Sequence, residues 1–238
     1  MKSILVGLFT VSFLMFACQN SESDTPQSEV KVVSAMKNVM WKGELKGKVQ
    51  LDTLSDRTGL YGIGPLASLR GELLINNGKS YVSTVAADSS MEMREDFEVA
   101  APFFVYANAT DWKKQTLPDQ NFDLKLLEKY LFGLKWRQNE PYVFKLIGEV
   151  ESAQIHIQNL APGSIVTSPK EAHAGQVKYD LGKEKVELIG FFSTTHQGVF
   201  VHHDSYTHIH LMTQDEQQMG HLDAVQFKGK EMKLMLAK

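Results

Sequence analysis

Residues 202–223 read HHDSYTHIHLMTQDEQQMGHLD, and five of the chain's eight histidines sit in this stretch. Within it, Thr207-His208-Ile209-His210-Leu211 alternates polar and apolar, the period of a half-buried strand. Side chains two apart on a strand leave the same face. His208 and His210 therefore project together, while Ile209 and Leu211 turn to the core. The polar run 214–218 reads as a hairpin loop, and Gly220 as a bulge on the returning strand. If the hairpin closes with His210 opposite His221, a third imidazole joins the same face; a slip of one residue puts it on the other. Three imidazoles without a fourth protein ligand nearby is the pattern of a zinc site that keeps one coordination position open. Spacing alone leaves a second reading standing, a histidine-rich polar strand face that holds no metal.

The segment HIHLMTQDEQQMGHLD at 208–223 resembles the C-terminal signature of the alpha-acetolactate decarboxylase family, an HxH on a strand followed by a Gly-His pair. The resemblance implies His208, His210 and His221 as the ligands of a zinc ion. Residues 61–72, YGIGPLASLRGE, carry the second likeness, to the family's GxGxxxxLxGE-like stretch. Their glycines and Pro65 suggest turns and close backbone approach. The family's acid falls on Glu72, which on residue type alone reads as a solvent-facing strand carboxylate. A family arginine that would handle substrate falls at about His156, so the chain departs there. A C-terminal family acid falls, by position, on Glu231 in KEMKL. Glu216-Gln217 stands where family members often show an Asp-Arg pair. The likeness in order and spacing extends over nearly all the chain after residue 30.

Toward the N-terminus, Lys2 and the apolar run 4–16, ending Leu14-Met15-Phe16-Ala17-Cys18, read as an export signal at 1–18. The apolar run is too short to span a bilayer. Its end resembles a lipobox, which predicts a lipid anchor on Cys18 and an exported protein of the bacterial envelope; simple secretion is the alternative. Cys18 is the single cysteine, so no intramolecular disulfide forms, and a metal site must use His, Asp or Glu. Residues 19–30 are mostly polar and read as a disordered tether, which leaves 31–238 as the folded domain. The spacing of Val32, Met36, Val39 and Met40 predicts a helix over 32–41, stopped by Gly43. A second short helix is expected at 51–57. Asn76-Asn77-Gly78-Lys79 is a hairpin turn between strands at 71–75 and 80–85. The acidic run 92–98 reads as a solvated loop, and 102–107 as a core strand. A helix is expected over 121–137, with Asn121 as N-cap and Leu127, Tyr130, Leu131 and Leu134 as its apolar stripe. Further strands are expected at 141–147, 153–157 and 186–192. His202 and His203 belong, on this reading, to a flexible polar turn. Short strands with few helices make an α+β chain of mixed or antiparallel sheets, with the zinc site on a C-terminal hairpin.

The 238 residues are 43% hydrophobic with a formal net charge of -3 and a pI near 6.2. That length and composition fit one domain, or two small lobes sharing a core. Mild acidity without basic blocks argues against nucleic acid as a partner. The resemblance implies decarboxylation of 2-acetolactate to acetoin and carbon dioxide, with zinc stabilising the enediolate and Glu72 as proton donor; it also implies a homodimer. Two other readings fit the residues. One is a weak or inactive zinc-containing envelope lipoprotein that binds a small hydroxy or keto acid. The other is a zinc hydrolase with Glu72 as general base, although no HExxH or Ser-His-Asp arrangement is present.

Overall fold

The computed structural model describes residues 28–137 and 139–238. The export signal at 1–18, with Cys18, lies outside the described residues, as does all of the tether but its last three residues. Those three are tied down: the Ser28 N–H donates to the Lys238 carbonyl at 2.7 Å, and Val30 already begins a strand.

The strands form two main antiparallel sheets. The smaller runs, edge to edge, Val30–Val33, Phe104–Asn108, Leu60–Pro65, Glu72–Asn76, Lys79–Val85 and Met91–Glu95. The larger runs Val177–Leu181, Ser152–Ile157, Met219–Lys228, Thr207–Thr213, Glu184–Phe192, Tyr142–Val150, Met232–Ala237 and Trp112–Gln115, and Asn121–Phe122 pairs with the end of Met219–Lys228. Val49–Gln50 and Ala100–Ala101 make a separate short pair.

The two sheets face each other through Tyr61, Ile63, Leu74 and Val105 on the small one and Val143, Ile189, Phe191 and Met212 on the large one. Behind the large sheet, Leu127 and Leu131 of the helix Leu124–Leu134 pack with Phe144, Leu211 and Phe227. Phe122 and Phe227 stack there with ring centroids 5.3 Å apart. Each such fully buried aromatic contributes about 1.5–3 kcal/mol relative to exposure. Leu73, Ile75, Val82 and Phe104 fill the far face of the small sheet. Central strands are therefore covered on both faces, and Thr207–Thr213 is buried throughout apart from its first residue, not half-buried.

Several sequence expectations need correction. The helix near the N-terminus is Met36–Lys42; Val32 and Val33 belong to an edge strand instead, and Ser34 at φ 59 separates the two elements. The 51–57 segment holds a single 3-10 turn, Leu51–Thr53. Leu60–Pro65 is a strand and not a chain of turns. Its glycines do serve close approach: a Cβ on Gly62 would lie 2.6 Å from the Phe104 ring, and one on Gly64 2.6 Å from the Phe103 carbonyl oxygen. Met91–Glu95 is an edge strand whose charged residues face solvent. The long helix starts at Leu124, capped by the Asp123 carboxylate accepting from the Leu126 N–H at 2.7 Å. Asn121 pairs with Lys228 instead. The Asn77-Gly78 turn is as expected, with both residues at positive φ, 49 and 85.

Candidate metal centre

The histidine hairpin pairs His210 with His221, Leu211 with Gly220 and Met212 with Met219. His208, His210 and Met212 share one face, and Met212 packs between the sheets, so both imidazoles enter the inter-sheet space. Met219 packs there too, and alternation carries His221 to the same side. The next strand over, Ser152–Ile157, brings His156 directly opposite His221. Gly220 explains itself by proximity: a Cβ there would sit 2.6 Å from the His156 carbonyl oxygen. The pairing around Gly220 is regular. The bulge lies three residues later, where Leu222 faces Ile155 and Ala224 faces Gln154, leaving Asp223 as the extra residue. Leu222 and Val225 consequently both face the helix side of the sheet.

One potential ligand atom from each of His208, His210 and His221 falls within 4.8 Å of the other two. Ring centroids are 5.1 Å apart for His208–His210, 4.9 Å for His208–His221 and 5.5 Å for His210–His221. His208 and His210 are buried. Among the described residues, Nδ1 of His208 and both ring nitrogens of His210 are buried without a hydrogen bond of good geometry, the Leu73 backbone being an acceptor close enough to act on His210. Such atoms cost about 1–3 kcal/mol each unless something else engages them, and coordination of a metal ion does so. Burial, followed by the neighbouring histidines, holds the pKa of all three below the ordinary value, to about 3 for His208. The neutral imidazole is the ligating form. The residues thus fit a divalent metal held by three nitrogens.

Glu72 approaches from the other sheet. It shares a face with Leu74, which packs between the sheets, and is itself buried. Its Oε2 lies 3.6 Å from His210 Nε2, and its Oε1 accepts from the Gln158 N–H at 3.2 Å. Burial raises its pKa well above the usual carboxylate range; the Gln158 N–H opposes this and the Asp223 charge adds to it. Glu72 is therefore not the solvent-facing carboxylate that its residue type suggests.

Glu72, His208 and His221 border a cavity of about 190 Å³. One wall is apolar, made of Met36, Met40, Pro65, Leu69 and Phe103, and the other carries His208, His221, His156, Asp223 and Glu72. The volume is below the roughly 300–1,000 Å³ of drug-sized ligand sites, and suits a small molecule. His156 does reach the cavity, but its Nδ1 is engaged by Asp223 Oδ1 at 2.7 Å, and its ring lies 4.7 Å from that of His221. His156, His221 and Asp223 form a second set of close ligand atoms, sharing only His221 with the first.

Glu231 is not brought to this site. It is exposed in the 3-10 turn Gly229–Glu231 and lines a separate cleft of about 610 Å³ with Gly148, Lys185 and Glu187. Glu216 lies in the hairpin loop, where it accepts from the Tyr81 hydroxyl at 2.9 Å. His202, assigned above to a polar turn, borders the cavity with its ring 5.7 Å from His221, whereas His203 is exposed. His173, Lys178 and Asp223 also line the cavity. Sequence reasoning gave these three no role. A signal for Asp223 was present, because Leu222, Val225 and Phe227 break strict alternation at that point.

Several known proteins share this arrangement of strands. The structure resembles alpha-acetolactate decarboxylase from Bacillus subtilis strain 168, with a TM-score of 0.73 at 20% identity over 88% of this chain and 85% of that one. A Staphylococcus aureus protein of unknown function, described as similar to alpha-acetolactate decarboxylase, gives a TM-score of 0.68 at 16% identity over 88% and 84%. At these identities the likeness is one of fold. Comparison with the curated proteins gives no match. The sequence itself matches the alpha-acetolactate decarboxylase family over residues 32–238, and the chain belongs to that family.

Proposed function

We propose that the protein is a zinc-dependent acetolactate decarboxylase that converts 2-acetolactate to acetoin and carbon dioxide. The observation that carries this reading is the buried Glu72 carboxyl 3.6 Å from His210, one of three histidines able to share a metal ion. In the reaction the bond from the hydroxyl-bearing carbon to the carboxylate breaks. Its electron pair passes into an enediolate, and a proton then adds to that carbon. Zinc, when bound to His208, His210 and His221, supplies Lewis acidity that stabilises such negative charge by several kcal/mol. Glu72, kept protonated by burial, is the proton source for the carbon. The Gln158 N–H holds its other oxygen and so fixes the direction of delivery. Met36, Met40, Leu69 and Phe103 exclude water and accept the substrate's methyl groups.

Substituting Glu72→Gln in the zinc-loaded protein tests this. Acetoin release should fall on the order of 100- to 10,000-fold while bound zinc stays constant. An unaltered rate would remove Glu72 from the chemistry. A wild-type protein that keeps zinc and binds a hydroxy acid but releases no acetoin would be a binding relative. Export with a lipid on Cys18 is proposed from the sequence of residues 1–18; Cys18→Ser should then leave the membrane fraction without change in its melting temperature. A homodimer is proposed on family resemblance, and sedimentation tests it.

A further inference from the structure

Lys178 stands at the mouth of the cavity and takes no part in the chemistry described above. It lies directly opposite His156 in the sheet, and opposed residues of antiparallel strands share a face. Among the described residues it is the one Lys or Arg that borders the cavity. Its ammonium is held in place and not left to swing: Nζ lies 3.1 Å from Asp223 Oδ2 and 3.2 Å from Gln154 Oε1. An ammonium has three N–H donors, and Gln154 accepts one of them, so donors remain for a ligand. Asp223 in turn has its other oxygen on His156 Nδ1 at 2.7 Å, while its Oδ2 meets the ammonium as an ion pair without a hydrogen bond of good geometry. The bulge that displaces Asp223 from the ladder thereby sets the position of Lys178. The other polar groups lining the cavity are Glu72, Asp223, Gln158, Gln176 and imidazoles, none of which is a fixed cation.

We infer that Lys178 anchors the carboxylate of a small 2-hydroxy acid at the cavity mouth. The inference rests on the decarboxylase reading and specifies how that substrate is gripped. The lysine side chain is about half exposed, 55%, so the contact is solvent-screened and salt-sensitive. A weak grip suits the reaction. The carboxylate leaves as neutral carbon dioxide, so tight charge pairing would favour the bound substrate over the transition state. Lys178 therefore acts on binding and leaves the chemical step nearly untouched.

The test compares zinc-loaded wild type, Lys178→Met and Lys178→Arg by calorimetric titration with 2-hydroxy-2-methylpropanoate, a carboxylate that does not decarboxylate under these conditions. Acetoin, which lacks the carboxylate, is the neutral control. Lys178→Met should weaken anion binding about five- to tenfold with acetoin binding unchanged, and Lys178→Arg should restore most of it. Added salt should weaken the anion's binding to wild type more than to Lys178→Met. With 2-acetolactate, KM should rise by a similar factor and kcat change by less than about twofold. Equal anion binding by wild type and Lys178→Met would overturn the inference. So would loss of zinc from Lys178→Met, which would make the lysine a support for Asp223 and His221. If anion binding depends on Lys178 but no acetoin forms, the decarboxylase reading fails and the anchor stands. Acetoin formation indifferent to Lys178 gives the reverse.

Discussion

His210 is buried with both ring nitrogens lacking a hydrogen bond of good geometry among the described residues, and metal coordination accounts for that cost. The same holds for Nδ1 of His208. Alanine at His208, His210 or His221 should each remove most of the bound zinc, as read by elemental analysis after dialysis. His173→Ala and His202→Ala should keep it, since both border the cavity without belonging to either close ligand set. Retention of zinc by a His208→Ala, His210→Ala double variant would contradict this assignment. The HxH spacing made two of these residues legible in the sequence, because period-two alternation is a local property. Glu72 was legible only by resemblance. Its burial comes from the large sheet lying over it, which no neighbour in sequence announces. His156 was singled out only by resemblance, and its bond to Asp223 depends on a bulge 67 residues away.

At the scale of elements, the register of the histidine hairpin decides whether three imidazoles meet. Gly220 holds that register by letting the strand of His156 approach. A methyl group there would sit 2.6 Å from the His156 carbonyl oxygen, a backbone atom that cannot swing aside. Gly220→Ala should therefore destabilise the protein by about 1–3 kcal/mol, measured as a lower denaturation midpoint at constant m-value. It should also weaken zinc binding; an unchanged midpoint and affinity would mean the two strands can separate without cost. The errors in reading elements have similar origins. Asn121 and Asp123 are both good N-caps, and pairing of Asn121 with Lys228 decides between them. Met91 and Met93 alternate with charges as a strand should, yet the density of acids masks the pattern.

At the scale of the molecule, the site joins two sheets, so its protonation is linked to folding. In the metal-free protein, burial lowers the pKa of His208, His210 and His221, whereas the unfolded chain titrates near 6.5. Below that value the unfolded state binds more protons, so stability falls as pH falls, by up to about 1.4 kcal/mol per pH unit for each histidine. Glu72 works in the opposite sense. Its folded-state pKa is raised, so its contribution is fully present below about 4.5 and is lost as pH rises through the folded value. Three histidines outweigh one carboxyl, and the melting temperature of stripped protein should drop between pH 7 and pH 5. A flat profile would mean that the imidazoles are solvated. The α+β class and antiparallel pairing were legible from short strands and turn residues. The division into two facing sheets was not, because strands buried on both faces lose the alternation that would reveal their partners. The central claim, that this centre decarboxylates 2-acetolactate, is tested most directly by acetoin release from zinc-loaded protein against the same protein stripped by chelator, with spontaneous decay subtracted. The loaded protein should be faster by orders of magnitude, and restoring zinc should restore the rate. Equal rates for loaded and stripped protein would contradict it.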